Sequence, residues 1–353
     1  MPEFNPGMVV LARESRGYTQ SELAKLIGVE QGTISKLEAG FLFTPEELIA
    51  KVADTLRYPL QFFFQNEKVY GFGSSVFYHR KRQGLPMKQL RQLHAEMNIR
   101  RYGIQKLLRA TGIAASNSFD HFDPQEYRGR VDVIARAVRT AWRIPPGPIR
   151  NLTEALEDAG AIIIRHDFGT RKADAVSEWV EPNPPIFFIN SHPDVTGDRL
   201  RFSLAHELGH VVMHEFPMPH MEEQADIFAS EFLTPERDIA HQLTRLTLPK
   251  LAMLKQEWRV SMGSLIEQAY RIGNISKSQR SRLIIQLRAE THSYRESVET
   301  DIPIEKPTLL DELIQTHLVG LRYSIEQLSL LMNELEPEFI AKYLPRPKVL
   351  QFA

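Results

Sequence analysis

The chain has 353 residues with 43 basic and 44 acidic side chains, a formal charge of −1, and 42% of it is apolar. That composition excludes a disordered or fibrous protein, and at roughly 100–200 residues per domain the length predicts two or three globular domains. There is no cysteine, which excludes disulfide scaffolds, thiol nucleophiles and thiolate zinc sites, so any metal must be held by His, Asp or Glu.

The apolar stretch 8–12 before Arg13 and Glu14 is too short for a signal-peptide core. No segment approaches the roughly 20 apolar residues of a membrane span, so a cytoplasmic protein with no membrane partner is expected. Charge is unevenly spread: residues 1–67 carry −3, 68–150 carry +11, 151–300 carry −6 and 301–353 carry −3.

The first 67 residues read as five short helices, 6–16, 21–27, 31–39, 45–56 and 59–64. Gly17, Gly28 and Gly40 stand where left-handed C-terminal caps belong, and Thr19 and Thr44 where N-caps belong. Residues 68–84, with Gly71, Gly73 and a basic run at 79–82, suggest a linker or a loosely held hairpin. A helix is expected over 86–109, with Leu90, Leu93, Met97, Ile104 and Leu107 on its apolar face. Further helices are expected at 132–142 and at 153–159, the latter stopped by Gly160.

The period then changes to two, and three strands are expected at 161–165, 173–180 and 185–189. Two long helices follow at 199–215 and 221–233. The chain reads as helical to about 286, with a last helical pair between 308 and 343. The expected divisions are 1–67, 68–130, 131–290 and 291–353, in a mainly α, multidomain protein.

Within 19–40, Ala24 is small where two helices must cross closely, Gly28 permits a sharp turn, and Val29, Ile34 and Leu37 anchor the second helix. Gln31, Gly32, Thr33, Ser35 and Lys36 are left facing outwards, with the chemistry that reads base edges or grips phosphates from the major groove. The segment resembles the phage-repressor-like (XRE-type) helix-turn-helix family over nearly all of 6–64. The resemblance implies a DNA-binding domain that contacts an operator through Gln20, Gln31, Thr33, Ser35 and Lys36. Phosphate attraction supplies much of DNA affinity, and the acidic balance of 1–67 leaves it wanting. The basic segment that follows is either its source or a solvated helix face.

His206-Glu207-Leu208-Gly209-His210 lies within an amphipathic helix. Positions i and i+4 share a helix face, so both imidazoles can reach one ion while Glu207 approaches a water bound to it. In the next expected helix Glu222 and Asp226 share a face, and Ala225, Phe228, Ala229 and Phe232 form an apolar stripe to pack on the first. His206, His210 and Glu222 would leave a fourth position for water.

Residues 201–210 and 222–235 resemble the paired motifs of the ImmA/IrrE family of metallopeptidases, and the likeness runs from about 132 to 286. It implies an α+β zincin-like domain with a small three-stranded sheet, Zn2+ bound by His206, His210 and Glu222, Glu207 as general base, and Asp226 as outer partner of a ligand histidine. His214, one turn along the ligand face, is a candidate second-shell group. His192, His214 and His220 are candidate donors to the oxyanion.

Residues 251–273 read as a second helix-turn-helix-like hairpin or as a supporting bundle, and 291–353 as a sensor or dimerisation element. Two functions fit: a DNA-binding regulator with a zinc endopeptidase that cleaves a repressor or antitoxin in a stress or mobile-element response, or a transcription factor or antitoxin-like regulator whose peptidase-like domain only senses a ligand or partner. By analogy with repressor heads on paired half-sites, a homodimer is expected.

Overall fold

The computed structural model describes residues 3–41, 46–66, 86–111, 117–170, 172–180, 183–216, 218–290, 296 and 301–344. The Thr44 cap and the 68–84 segment with its basic run lie outside the described residues. The described residues divide into two compact units, one of those in 3–66, 86–111 and 309–344, the other of those in 117–308.

The first unit opens with α1 (Pro6–Ser15), α2 (Gln20–Ile27), α3 (Gln31–Glu38) and α4 (Glu46–Leu56), then a 3-10 turn at Leu60–Phe64 where an α-helix is expected. Local chemistry sets the ends. Thr19 and Glu22 close a reciprocal capping box at the start of α2, which satisfies amides that the first turn leaves without intrahelical acceptors. Gly28 stops α2 at φ 74°, a conformation a Cβ makes costly. Met8, Leu23, Ile34, Leu37, Val52, Phe62 and Phe63 are fully buried between the helices.

Helix α5 (Met87–Thr111) continues this unit, and its Ala95, Ile99 and Tyr102 join the same core. The C-terminal helices α14 (Leu309–Gln315), α15 (Ile325–Leu331) and α16 (Glu336–Tyr343) belong to the same unit, with a π-helical turn at Thr316–Gly320 after α14. A Cβ on Gly103 of α5 would lie 2.9 Å from the Met332 Cα. Asn333 donates to the Ile99 carbonyl and accepts from Gln65, and Glu338 accepts from Arg57 at 2.7 Å. The segments expected as a basic helix and a separate C-terminal element thus pack with the N-terminal helices.

The second unit places α6 (Val131–Ala141) and α7 (Leu152–Asp158) before three strands, β1 (Ile162–His166), β2 (Ala175–Glu178) and β3 (Ile186–Asn190). The sheet order is β1-β3-β2, so the last strand lies in the middle. It pairs parallel with β1 (Ile162↔Ile186) and antiparallel with β2 (Ala175↔Ile189). Every residue of β3 is buried, which explains its continuous apolar run where a half-buried strand would alternate.

Then come α8 (Gly197–Met213), α9 (Met221–Leu233), the short α10 (Glu236–Ile239), and α11 (Leu248–Trp258), α12 (Met262–Arg271) and α13 (Lys277–Glu290). Of the two readings for 251–273, packing favours the supporting bundle, since Leu251, Trp258, Leu265 and Ile266 join the core beneath α8 and α9.

Two buried cations hold the first half of α8. The Arg201 guanidinium binds the Glu305 carboxylate and donates to the carbonyls of Ile149 and Arg259. Lys255 meets Asp198 at 2.9 Å and Glu296 at 2.7 Å. Glu305 belongs to an extended strap, 301–308, that also accepts from the Thr153 amide through Glu305 and donates from the Thr308 amide to Glu157. Gly197 lets the strap pass: a Cβ there would overlap the Ile302 and Pro303 carbonyls.

Gly197→Ala is accordingly expected to displace the strap and to destabilise the second unit by about 1–3 kcal/mol, as overpacking does. Denaturant melts and amide exchange at 301–308 measure it. Unchanged stability with unchanged exchange would contradict the packing.

Candidate functional site

Helix α8 puts His206 and His210 one turn apart, with their Nε2 atoms 3.0 Å from each other. Glu222, in the first turn of α9, brings one carboxylate oxygen to 3.6 Å from His206 Nε2 and the other to 3.8 Å from His210 Nε2. Among the described residues these three form a group whose ligand atoms lie within 4.8 Å of one another. The helices approach closely because Gly209 faces Phe228; a Cβ there would lie 3.1 Å from the Phe228 ring.

The donor set fits a zinc ion: two imidazole nitrogens and a carboxylate converge on one point, and zinc accepts such N/O sets. Electrostatics agree. Burial pushes the His206 imidazole down, yet hydrogen bonds to the Asp226 and Glu222 carboxylates outweigh it and raise it to about 10. Positive charge is favoured at this point, carried by a proton on His206 or by a metal cation.

The remaining expected site residues surround the three. The Asp226 Oδ1 lies 2.8 Å from His206 Nδ1, the arrangement by which an outer carboxylate fixes a ligand imidazole. Glu207 is buried, and Ser177 on β2 donates to its Oε2 at 2.6 Å. His214 sits behind His210, Nδ1 to Nδ1 at 2.9 Å, and its Nε2 lies 2.9 Å from Gln224 Oε1. Burial holds the His214 imidazole below its usual range. His192 and His220 are engaged elsewhere, with the Asp194 amide and beside the Glu223 carboxylate.

Ser177 and Gln224 escape sequence reasoning. Ser177 occupies an ordinary strand position, and only the seating of α8 on the sheet brings it to Glu207, 30 residues away. Gln224 lies between Glu222 and Asp226, where helical spacing points to neither, and its reach to His214 depends on how α9 meets the end of α8.

In the first unit, the expected DNA-facing residues divide. Arg13 binds Glu38 through two nitrogens at 2.5 and 3.0 Å, Gln20 donates to Glu38 at 2.7 Å, and Gln31 donates to Gln20 Oε1 at 2.8 Å. Because a carboxylate only accepts, this series fixes the polarity of both amides. Lys36 is exposed beyond them on α3, and Thr33 and Ser35 are half-buried. Lys88 and Arg91 of α5 line a cleft of about 630 Å³ together with Gln20 and Gln31. Their charge is partly offset by Glu22 and Glu14, at 3.8 and 4.0 Å.

Residues 156–270, from α7 to α12, match the family model of the IrrE N-terminal-like domain of peptidase family M78, and residues 11–63 match a helix-turn-helix family. The chain joins a helix-turn-helix domain to an IrrE N-terminal-like domain. The first is the DNA-binding, XRE-type module of transcription regulators, and the second is metallopeptidase-like, of the ImmA/IrrE class. No curated protein matches the sequence.

Native mass spectrometry is expected to find one zinc per chain, absent in His206→Ala and Glu222→Ala but kept in Glu207→Gln. Zinc retained in both ligand variants would place the metal elsewhere. Gly209→Val, which pushes Phe228 and α9 outwards, is expected to weaken zinc by at least about tenfold, the scale on which displaced outer groups act.

Proposed function

We propose that the chain is a cytoplasmic transcription regulator that binds operator DNA through its first unit and acts as a zinc-dependent endopeptidase through its second. Its substrate is a repressor or antitoxin protein in a stress or mobile-element response. The observation that carries this reading is Glu207, a buried carboxylate held by Ser177 at 2.6 Å beside three converging ligand side chains. Such a set is built for proton transfer next to a cation, which a purely sensing domain does not need.

His206, His210 and Glu222 would hold the zinc, with Asp226 behind His206. Zinc there supplies Lewis acidity, polarising a peptide carbonyl and lowering the pKa of water. Glu207 takes the proton from the attacking water and returns it to the leaving amine, acting in turn as base and acid. Ser177 keeps the carboxylate oriented between the two transfers.

DNA recognition is assigned to Gln20, Gln31, Thr33, Ser35 and Lys36. The Glu38-braced glutamine pair supports it, because Gln31 keeps an amide oxygen and a second N–H for a base edge. Binding as a homodimer on two half-sites follows from the repressor-type head. Among the described residues no helix is long and apolar enough to cross a membrane.

Mapping of new protein N-termini in cells that express the wild type or Glu207→Gln tests the peptidase. Cleavage of one repressor or antitoxin is expected with the wild type and to fall at least about 100-fold in the variant, with DNA binding kept. Identical termini in both would leave the sensing regulator instead. Gln31→Ala is expected to lose about 1–3 kcal/mol of operator affinity, measured by fluorescence anisotropy on a selected duplex, and to leave cleavage by purified protein unchanged.

A further inference from the structure

The two imidazoles of the metal centre are braced in different ways. His206 turns its Nδ1 to the Asp226 carboxylate, an acceptor only, at 2.8 Å. His210 turns its Nδ1 to another imidazole, that of buried His214, at 2.9 Å. The far nitrogen of His214 meets the Gln224 side-chain amide, also at 2.9 Å.

A neutral imidazole donates from one nitrogen and accepts at the other, so a series of two imidazoles ending on an amide has two consistent directions. In the first, Gln224 Oε1 accepts from His214 Nε2–H, and His214 Nδ1 accepts from His210 Nδ1–H. The lone pair of His210 Nε2 then faces His206 and Glu222. In the second, the Gln224 nitrogen donates, each proton sits on the opposite nitrogen, and an N–H on His210 Nε2 points where the cation belongs. The orientation placing Gln224 Oε1 against His214 selects the first.

We propose that Gln224 is a positioning residue which, through His214, fixes His210 as its Nδ1–H tautomer and so turns its Nε2 lone pair on a divalent cation. The proposal rests on the metal centre assigned above. Helix α9 would then supply one ligand, Glu222, and the braces of both ligand imidazoles, Asp226 directly and Gln224 through His214. The brace of His210 is neutral, which limits negative charge around a centre that already has Glu207, Glu222 and Asp226.

The test compares three full-length variants by zinc competition with a chromophoric chelator. Gln224→Glu, which can only accept when ionised, is expected to keep affinity within about threefold. Gln224→Lys, which can only donate when charged, is expected to lose about 10–100-fold, the usual effect of removing an outer partner. His206→Ala serves as the ligand control. Long-range 1H–15N correlation on histidine-labelled, zinc-free protein reads the tautomers directly, with His210 protonated at Nδ1 and His214 at Nε2 expected in the wild type and in Gln224→Glu.

If His206→Ala keeps zinc, the metal centre itself is wrong and the proposal falls with it. If His206→Ala loses zinc while Gln224→Lys binds like the wild type, or if wild-type His210 carries its proton on Nε2, the centre stands and the proposal is overturned. If Gln224→Lys does not fold, Gln224→Leu, which neither donates nor accepts, replaces it, and an unchanged His210 tautomer and zinc affinity there overturn the proposal.

Discussion

The close approach of α8 and α9 is the constraint on which the candidate metal centre depends. Gly209 on one helix faces Phe228 on the other, and the small residues Ala205 on α8 and Ala225 and Ala229 on α9 are fully buried, as is Phe228. Small side chains at a crossing let backbones come nearer than the usual 8–10 Å between axes. Only then can a carboxylate from the first turn of α9 reach imidazoles on α8. Zinc–ligand bonds of about 2.0–2.2 Å leave little room for error, so a shift of one methyl group at Gly209 matters more than its distance from the chemistry suggests.

The rest of the second unit fixes α8 around that crossing. Arg201 and Lys255, both buried, tie its first two turns to the strap and to α11. Broken buried ion pairs are costly because they leave an uncompensated charge, so these contacts resist rotation of the helix about its axis. The sheet contributes through β2, its edge strand, which presents Ser177 to Glu207. The first unit uses a similar device on a smaller scale: the Arg13–Glu38 pair orders Gln20, which orders Gln31, so that a buried charge pair sets the polarity of an exposed amide.

Much of this was legible in the sequence. Glycine positions, Thr19 as an N-cap and the apolar spacing located α1 to α4 within a residue or so, and the three strands stood out by their Ile, Val and Phe content. The pairing of His206 with His210 follows from helical geometry alone. Sequence period could not show that the last strand is central, because register depends on which strand edges meet. Nor could it show that 309–343 returns to the N-terminal helices, since Glu338 and Arg57 are 281 residues apart. The outer braces Ser177 and Gln224 were hidden for the same reason: each acts across a tertiary contact, and each residue type is ordinary where it stands.

On the function proposed above, joining a DNA-binding head and a metallopeptidase-like unit in one chain would bring a cleaving centre to DNA. Such a centre requires a single cation between α8 and α9. Anomalous diffraction at the zinc edge from crystals of the zinc-loaded protein tests it most directly. A single peak about 2.0–2.2 Å from His206 Nε2, His210 Nε2 and a Glu222 oxygen, with Glu207 unligated, is the result expected. A peak ligated by Asp226 or His214 in place of these, or none at all, would contradict it.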